Sequence, residues 1–173
     1  YNFLGAVENF FSKCAPAMFM GWSNLNFDRR MFHFNFFKGN RYPYATHSSP
    51  NSEHDGLHIA RAAQTLNSET LKTELTEAGN PSLALESLSR MQGFDTSSSH
   101  TAYVDAQNSL KILRIIKNKH KENWEIFLKT STKTSVETLL KSDGIYSIFE
   151  NVKGRNMMYL ASTLHPNQCF HPA

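Results

Sequence analysis

A helix cannot run through Pro50, so the stretch Ser49-Pro50-Asn51-Ser52-Glu53-His54 divides this chain into two parts of different character. Ser52, two residues on, is a residue type whose side chain accepts from the exposed N–H groups of a helix start. The spacing therefore predicts a helix growing from Ser52 to about Leu66, with Leu57, Ala60, Ala63 and Leu66 near one side. Glu53 then falls in the first turn, where the positive end of the helix dipole favours a carboxylate. Such a glutamate is either an ordinary stabilising residue or a positioned catalytic base.

Before this boundary the chain is aromatic. Phe32, Phe34 and Phe36 alternate at strand period, Lys38-Gly39-Asn40 supplies turn chemistry, and Arg41-Tyr42 can begin a returning strand. A β-hairpin is expected across about 17–45, with its phenylalanines in the core. Beyond Ser52 the pattern is helical to about residue 165. Ser68 can cap a short helix that ends at Gly79, and Asn80-Pro81 can open another closed by Gly93. Ala102 to Leu128 reads as one long buried helix, and Met157 to Leu164 as a short last one. Ser97-Ser98-Ser99 reads as a surface loop, and Pro166 and Pro172 mark a frayed end. The fold class expected is mainly α (α+β): a single-domain helical bundle over 1–173 with a small N-terminal β-hairpin.

Bulk properties narrow the functions. At 173 residues, with 40% hydrophobic and 19% charged, the chain supports one domain and is not disordered. No apolar run spans a bilayer and no signal peptide is visible, so a cytoplasmic, intracellular location with no membrane partner is expected. Cys14 and Cys169 are too few for a disulfide framework or a cysteine zinc site. A net charge of +3 suits a phosphate-bearing ligand but is weaker than a nucleic-acid-binding stripe.

His54 and His58 have the i, i+4 spacing of a zinc helix, but Asp55 stands where a glutamate is needed and no third ligand stands downstream. No metal and no cofactor are expected. Lys111, Arg114, Lys117, Lys119 and Lys121 are spread around a helix and read as its solvated face. The acidic candidates are Glu53, Glu137 and Asp143. Tyr146 offers a flat surface, and Arg155 and Asn156 offer donors for a pyrophosphate. Carboxylates beside an anion-binding group are the parts needed to cleave a ribosyl bond through an oxocarbenium-like transition state.

In order along the chain, Trp22-Ser23-Asn24-Leu25, Ser52-Glu53-His54, the segment Lys119 to Ile126, Thr134 to Glu137, Asp143 to Ser147 and Gly154-Arg155-Asn156 resemble the NADAR (YbiA-like) domain family. The resemblance implies hydrolysis of an N-glycosidic bond to ribose in an ADP-ribosyl-guanine or phosphoribosylamino compound. It implies Glu53, Asp143 and Lys119 as catalytic residues, and Asn24, Ser52, His54, Tyr146, Arg155 and Asn156 as ligand-binding ones. The partner implied is an ADP-ribose or phosphoribosyl substrate, with ADP-ribosylated nucleic acid as a further candidate. Tyr146 and Ser147 depart from the family's tryptophan and glycine, so an inactive ADP-ribose-binding module is the alternative. A helical protein-interaction domain without a ligand is the third.

Overall fold

Two short strands far apart in sequence hold the centre of the computed structural model, which describes residues 2–96, 101–142 and 144–163. Strand β1 (Met18–Gly21) pairs in parallel with β2 (Ser52–Asp55), Met18 opposite Ser52 and Gly21 opposite Asp55. Helix α1 (Asn2–Cys14) precedes them, and α2 (Asp28–Lys38) lies in the crossover between them. This is a βαβ unit, the connection that parallel strands require.

The hairpin expected across about 17–45 is thus replaced by a parallel strand and a helix. Phe32 and Phe36 are two strand periods apart, but they are also one helical turn apart, and the helix wins. Both rings pack against Phe11 of α1, at centroid separations of 5.5 and 6.3 Å. Phe36 is 2% exposed, whereas Phe34 and Phe37 point outward. Asp28 in the first turn and Lys38 in the last complement the helix dipole.

The helix expected to grow from Ser52 begins instead at Gly56. Ser52 donates its N–H to Ala17 O at 3.0 Å, as a strand residue does. Asp55 is the cap of α3 (Gly56–Leu66), its Oδ1 accepting from Leu57 N at 2.9 Å. Ile59, Ala60 and Ala63 of α3 form the core with Leu71, Leu83, Leu88, Ile112, Ile116 and Phe127. Each fully buried large aliphatic among these contributes roughly 1.5–3 kcal/mol.

No helix forms from Ser68. Asn67 closes a turn there, accepting from Glu69 N at 2.9 Å and Thr70 N at 3.0 Å, and Leu75 is exposed. Helix α4 (Leu85–Met91) starts four residues beyond Pro81 and stops, as expected, at Gly93, whose φ of +75° suits glycine. The long helix is broken at His120 into α5 (Ala102–Lys119) and α6 (Lys121–Lys129). The break is held by the buried His120 ring, whose Nε2 lies 2.7 Å from Thr70 Oγ1.

Helix α7 (Lys133–Ser142) leads to an antiparallel hairpin of β3 (Tyr146–Val152) and β4 (Arg155–Ala161). Its two-residue turn, Lys153 at φ 50° and Gly154 at φ 83°, has the positive angles of a type I′ loop. Strand β4 therefore stands where a helix from Met157 was expected. The hairpin packs on α3. Ser97–Ser99, Asp143 and everything from 164 onward, Cys169 included, lie outside the described residues. Among the described residues no helix is long and apolar enough to cross a membrane.

Candidate functional site

The ends of β1 and β2, the loop after β1 and the start of α2 converge on three carboxylates: Asp28, Glu53 and Asp55. Strand alternation turns successive β2 side chains to opposite faces. Yet Glu53, His54 and Asp55 are all buried, at 7%, 7% and 0% exposure, because other elements cover both faces.

Glu53 is fully engaged. Its Oε1 accepts from Asn24 Nδ2 at 2.9 Å, and its Oε2 from Arg29 Nε at 2.9 Å. His47 Nδ1 stands 3.7 Å from the same Oε2. Asp55 is engaged as completely, accepting from Ser23 N at 2.8 Å and Leu25 N at 3.3 Å as well as from Leu57 N. One buried carboxylate thus fixes both the loop that leads to α2 and the start of α3.

Asp28 differs from both. It is exposed at the first turn of α2, and no cation among the described residues pairs with it. Partial desolvation pushes its carboxyl above the usual carboxylate range, and repulsion by Asp55 and Glu53 adds to this, against a backbone N–H that lowers it. Desolvation together with charge neighbours at a surface site marks a functional candidate. Asp28 is hard to find from sequence because the alternating phenylalanines make its segment read as the lead-in to a strand. As a helix start, an acidic residue in the first turn is its legible signal.

The residues expected to form a ribosyl pocket are used elsewhere, Asn24 and Glu53 excepted. His54 is structural: its Nδ1 accepts from Asp55 N at 2.8 Å, so Nε2 carries the proton and donates to Phe127 O at 2.8 Å. That bond ties β2 to α6. Ser52 is a ladder residue of β2. Lys119, at the end of α5, donates to Glu69 O at 2.7 Å. Tyr146 donates its hydroxyl to the Leu140 carbonyl of α7. Arg155 is exposed at the start of β4, and Asn156 accepts from Arg61 Nε at 3.2 Å and Asn151 Nδ2 at 2.9 Å. The catalytic candidate Asp143 lies outside the described residues.

No family model matches the chain. It is 28% identical, over an alignment of 184 positions, to exodeoxyribonuclease I of Buchnera aphidicola subsp. Baizongia pistaciae, covering 96% of this chain and 38% of that protein. Against exodeoxyribonuclease I of Haemophilus influenzae it is 26% identical over 122 residues, 70% of this chain and 26% of that protein. Against that of Escherichia coli K12 it is 30% identical over 105 residues, covering 58% and 21%. The chain therefore spans between about a fifth and two-fifths of these relatives.

Among solved structures, E. coli exonuclease I in complex with a dA16 oligonucleotide superposes with a TM-score of 0.79 at 19% identity, over 96% of this chain and 37% of that one. An exonuclease I complex with SSB-Ct gives 0.76 over 97% and 37%. These likenesses overturn the NADAR resemblance. With it fall the N-glycosidase activity, the ADP-ribose and phosphoribosyl substrates and the ADP-ribose-binding alternative. The short motifs behind it match in order but not in place: Ser52-Glu53-His54 lies in strand β2, and Gly154-Arg155-Asn156 runs from a hairpin turn into strand β4. This chain has the fold of the corresponding third of E. coli exonuclease I.

Proposed function

We propose that this chain is part of an exonuclease I-like hydrolase that cleaves phosphodiester bonds of single-stranded DNA from an end. The observation that carries the reading is that almost the whole chain, 96%, matches exodeoxyribonuclease I in sequence and exonuclease I in fold. A cytoplasmic location belongs to the same reading.

The site supports it chemically. Asp28 is a carboxylate with a raised proton affinity, suited to take a proton from an attacking water. Phe27, 67% exposed beside it, offers a face on which a base can stack. Arg30, on the same turn, is exposed and can approach a phosphate.

Phosphodiester hydrolysis is commonly metal-assisted, and one solved structure of E. coli exonuclease I with single-stranded DNA is a zinc-bound form. Among the described residues no group of three His, Cys, Asp or Glu side chains can hold a metal. Glu53 and Asp55 are already committed to protein donors. The described residues alone do not fit a metal centre, and the chemistry assigned to this chain is that of Asp28.

A second reading, a non-catalytic single-strand-binding segment, is favoured by that missing cluster. Incubation with an end-labelled dT16 oligonucleotide separates the two. Stepwise shortening of the label supports hydrolysis and reveals its polarity. Retarded mobility without shortening sinks catalysis by this chain and favours binding alone.

A further inference from the structure

Resting on the single-strand reading above, we infer that the outer face of α2 is a stacking track for the bases of a single-stranded nucleic acid. It runs from Phe27 to Lys38 and holds nucleotides beyond the one that lies at Asp28.

Helical spacing assembles the track. Phe27, Arg30, Phe34 and Phe37 follow at intervals of three, four and three residues, which places them on one side of the helix, and Lys38 stands one turn beyond Phe34. The phenylalanines of this segment therefore divide between two roles. Phe32 and Phe36 pack on Phe11 of α1. Phe27, Phe34 and Phe37 have no core to enter and are 67%, 58% and 76% exposed. Single exposed apolar residues are ordinary, but three large rings along one helix face mark an interaction surface.

Charge identifies the occupant. Arg30 and Lys38 are exposed within the same stripe, and neither has an acidic partner among the described residues. Residues 29–52 contain no Asp or Glu at all. Lys38 Nζ lies 5.1 Å from the centre of the Phe34 ring, so a cation already sits on one of the faces that bases use.

A protein partner laid over this stripe would strip both cations of water, and charged residues are depleted at the centres of protein interfaces. A single strand meets both demands at once. Its bases offer π-faces to the phenylalanines, and its phosphates offer counter-charge to Arg30 and Lys38. A duplex keeps its bases stacked on each other and meets only the second demand. The eleven residues of α2 span about 16 Å at 1.5 Å per residue, so the track extends past the nucleotide at Asp28.

Fluorescence anisotropy of labelled dT16 tests the track, measured with the chain carrying Asp28→Asn to slow its cleavage. Adding Phe34→Ala or Phe37→Ala should weaken dT16 by about 5- to 100-fold each, the span of one lost stack. Phe34→Trp keeps a π-face and should bind as Phe34 does. Lys38→Gln should reduce the slope of log affinity against log salt by about 0.7. A blunt dA16·dT16 duplex should compete poorly, and the melting temperatures of the alanine variants should match that of their parent.

Unchanged affinity in both alanine variants overturns the inference, as does a lack of dT16 binding or equal competition by the duplex or by polyglutamate. A salt slope untouched by Lys38→Gln does the same. Alanine variants that melt several degrees lower assign the rings to packing. A chain that dimerises until Phe34→Ala separates it identifies a second copy as the occupant, and either result overturns the track. Weakened binding in the alanine variants of a chain that leaves dT16 intact would sink the proposed hydrolysis and leave the track standing. Shortening of dT16 by the unmutated chain, with no loss of affinity in the variants, would sink the track alone.

Discussion

Arg29 and Glu53 form an ion pair, Nε to Oε2 at 2.9 Å, in which the carboxylate is buried and the guanidinium is a third exposed. Removing one partner of a buried pair costs more than the pair itself contributes, because the other charge is left uncompensated. Arg29→Met should therefore destabilise the chain by about 1–3 kcal/mol, below the fully buried figure because solvent reaches the arginine. Glu53→Gln should cost less, since an amide oxygen still accepts from one of the two donors. Urea unfolding midpoints check both. An unchanged midpoint in Arg29→Met would show that the pair contributes nothing.

Asp55 carries more of the fold than its size suggests. Its carboxylate accepts three backbone N–H groups, from Ser23, Leu25 and Leu57, at 0% exposure. Asp55→Ala removes a helix cap and orphans two loop donors, so a loss of about 3–4 kcal/mol is expected. Asp55→Asn keeps one acceptor but turns an N–H toward other N–H groups, and should recover only part of that loss. Thermal melts of the two variants rank them. Equal melting temperatures for Asp55→Ala and the unmutated chain would refute the role.

Some of these features are legible in the sequence and others are not. The apolar spacing of Ala60 and Ala63 is legible because helices bury residues at a period that local sequence displays. Gly93 is legible as a stop because a left-handed residue is needed there. Strand β2 is not: Ser-Glu-His-Asp has no apolar or β-branched residue, and it is a strand only because β1, 34 positions earlier, pairs with it. The phenylalanines of α2 satisfy two periods at once, and only their packing on Phe11 chooses between them. Asn24 and Glu53, both expected at the site on separate motifs, do meet, at 2.9 Å. Their meeting is a structural hydrogen bond, and the carboxylate left uncommitted beside it, Asp28, belongs to neither motif.

Acid should destabilise the fold through the buried His120 and the half-buried His47. Desolvation holds His120 below the usual imidazole value, with Lys119 adding repulsion. His47 is lowered in the same way by desolvation, then by Arg29 and His33, against the pull of Glu53. A folded chain with lowered histidine pKa values binds fewer protons than the unfolded chain, so stability rises with pH across the window where they differ. The contribution is complete above the unfolded value of 6.5 and is lost as pH falls through the folded values. Urea midpoints at pH 7.5, 6.5 and 5.5 should fall in that order, and His120→Gln should flatten the slope. A midpoint that holds steady on acidification would contradict this.

Asp28→Asn separates chemistry from stability. The carboxyl is held above its ordinary value of 3.8 by desolvation and by Asp55 and Glu53, so its ionised form is slightly unfavourable in the fold at neutral pH. Neutralising it should leave the melting temperature unchanged or raise it, and should remove the acid-side gain that protonation of Asp28 supplies. If Asp28 takes a proton from the attacking water, the same variant should slow shortening of dT16 by about 10²–10⁴-fold, the usual span for a positioned base. Retarded mobility of the oligonucleotide should persist, because the change removes negative charge beside Arg30 and Phe27. A variant that shortens dT16 at the full rate would remove Asp28 from the reaction. One that melts several degrees lower would show that its carboxylate holds the start of α2 rather than a substrate.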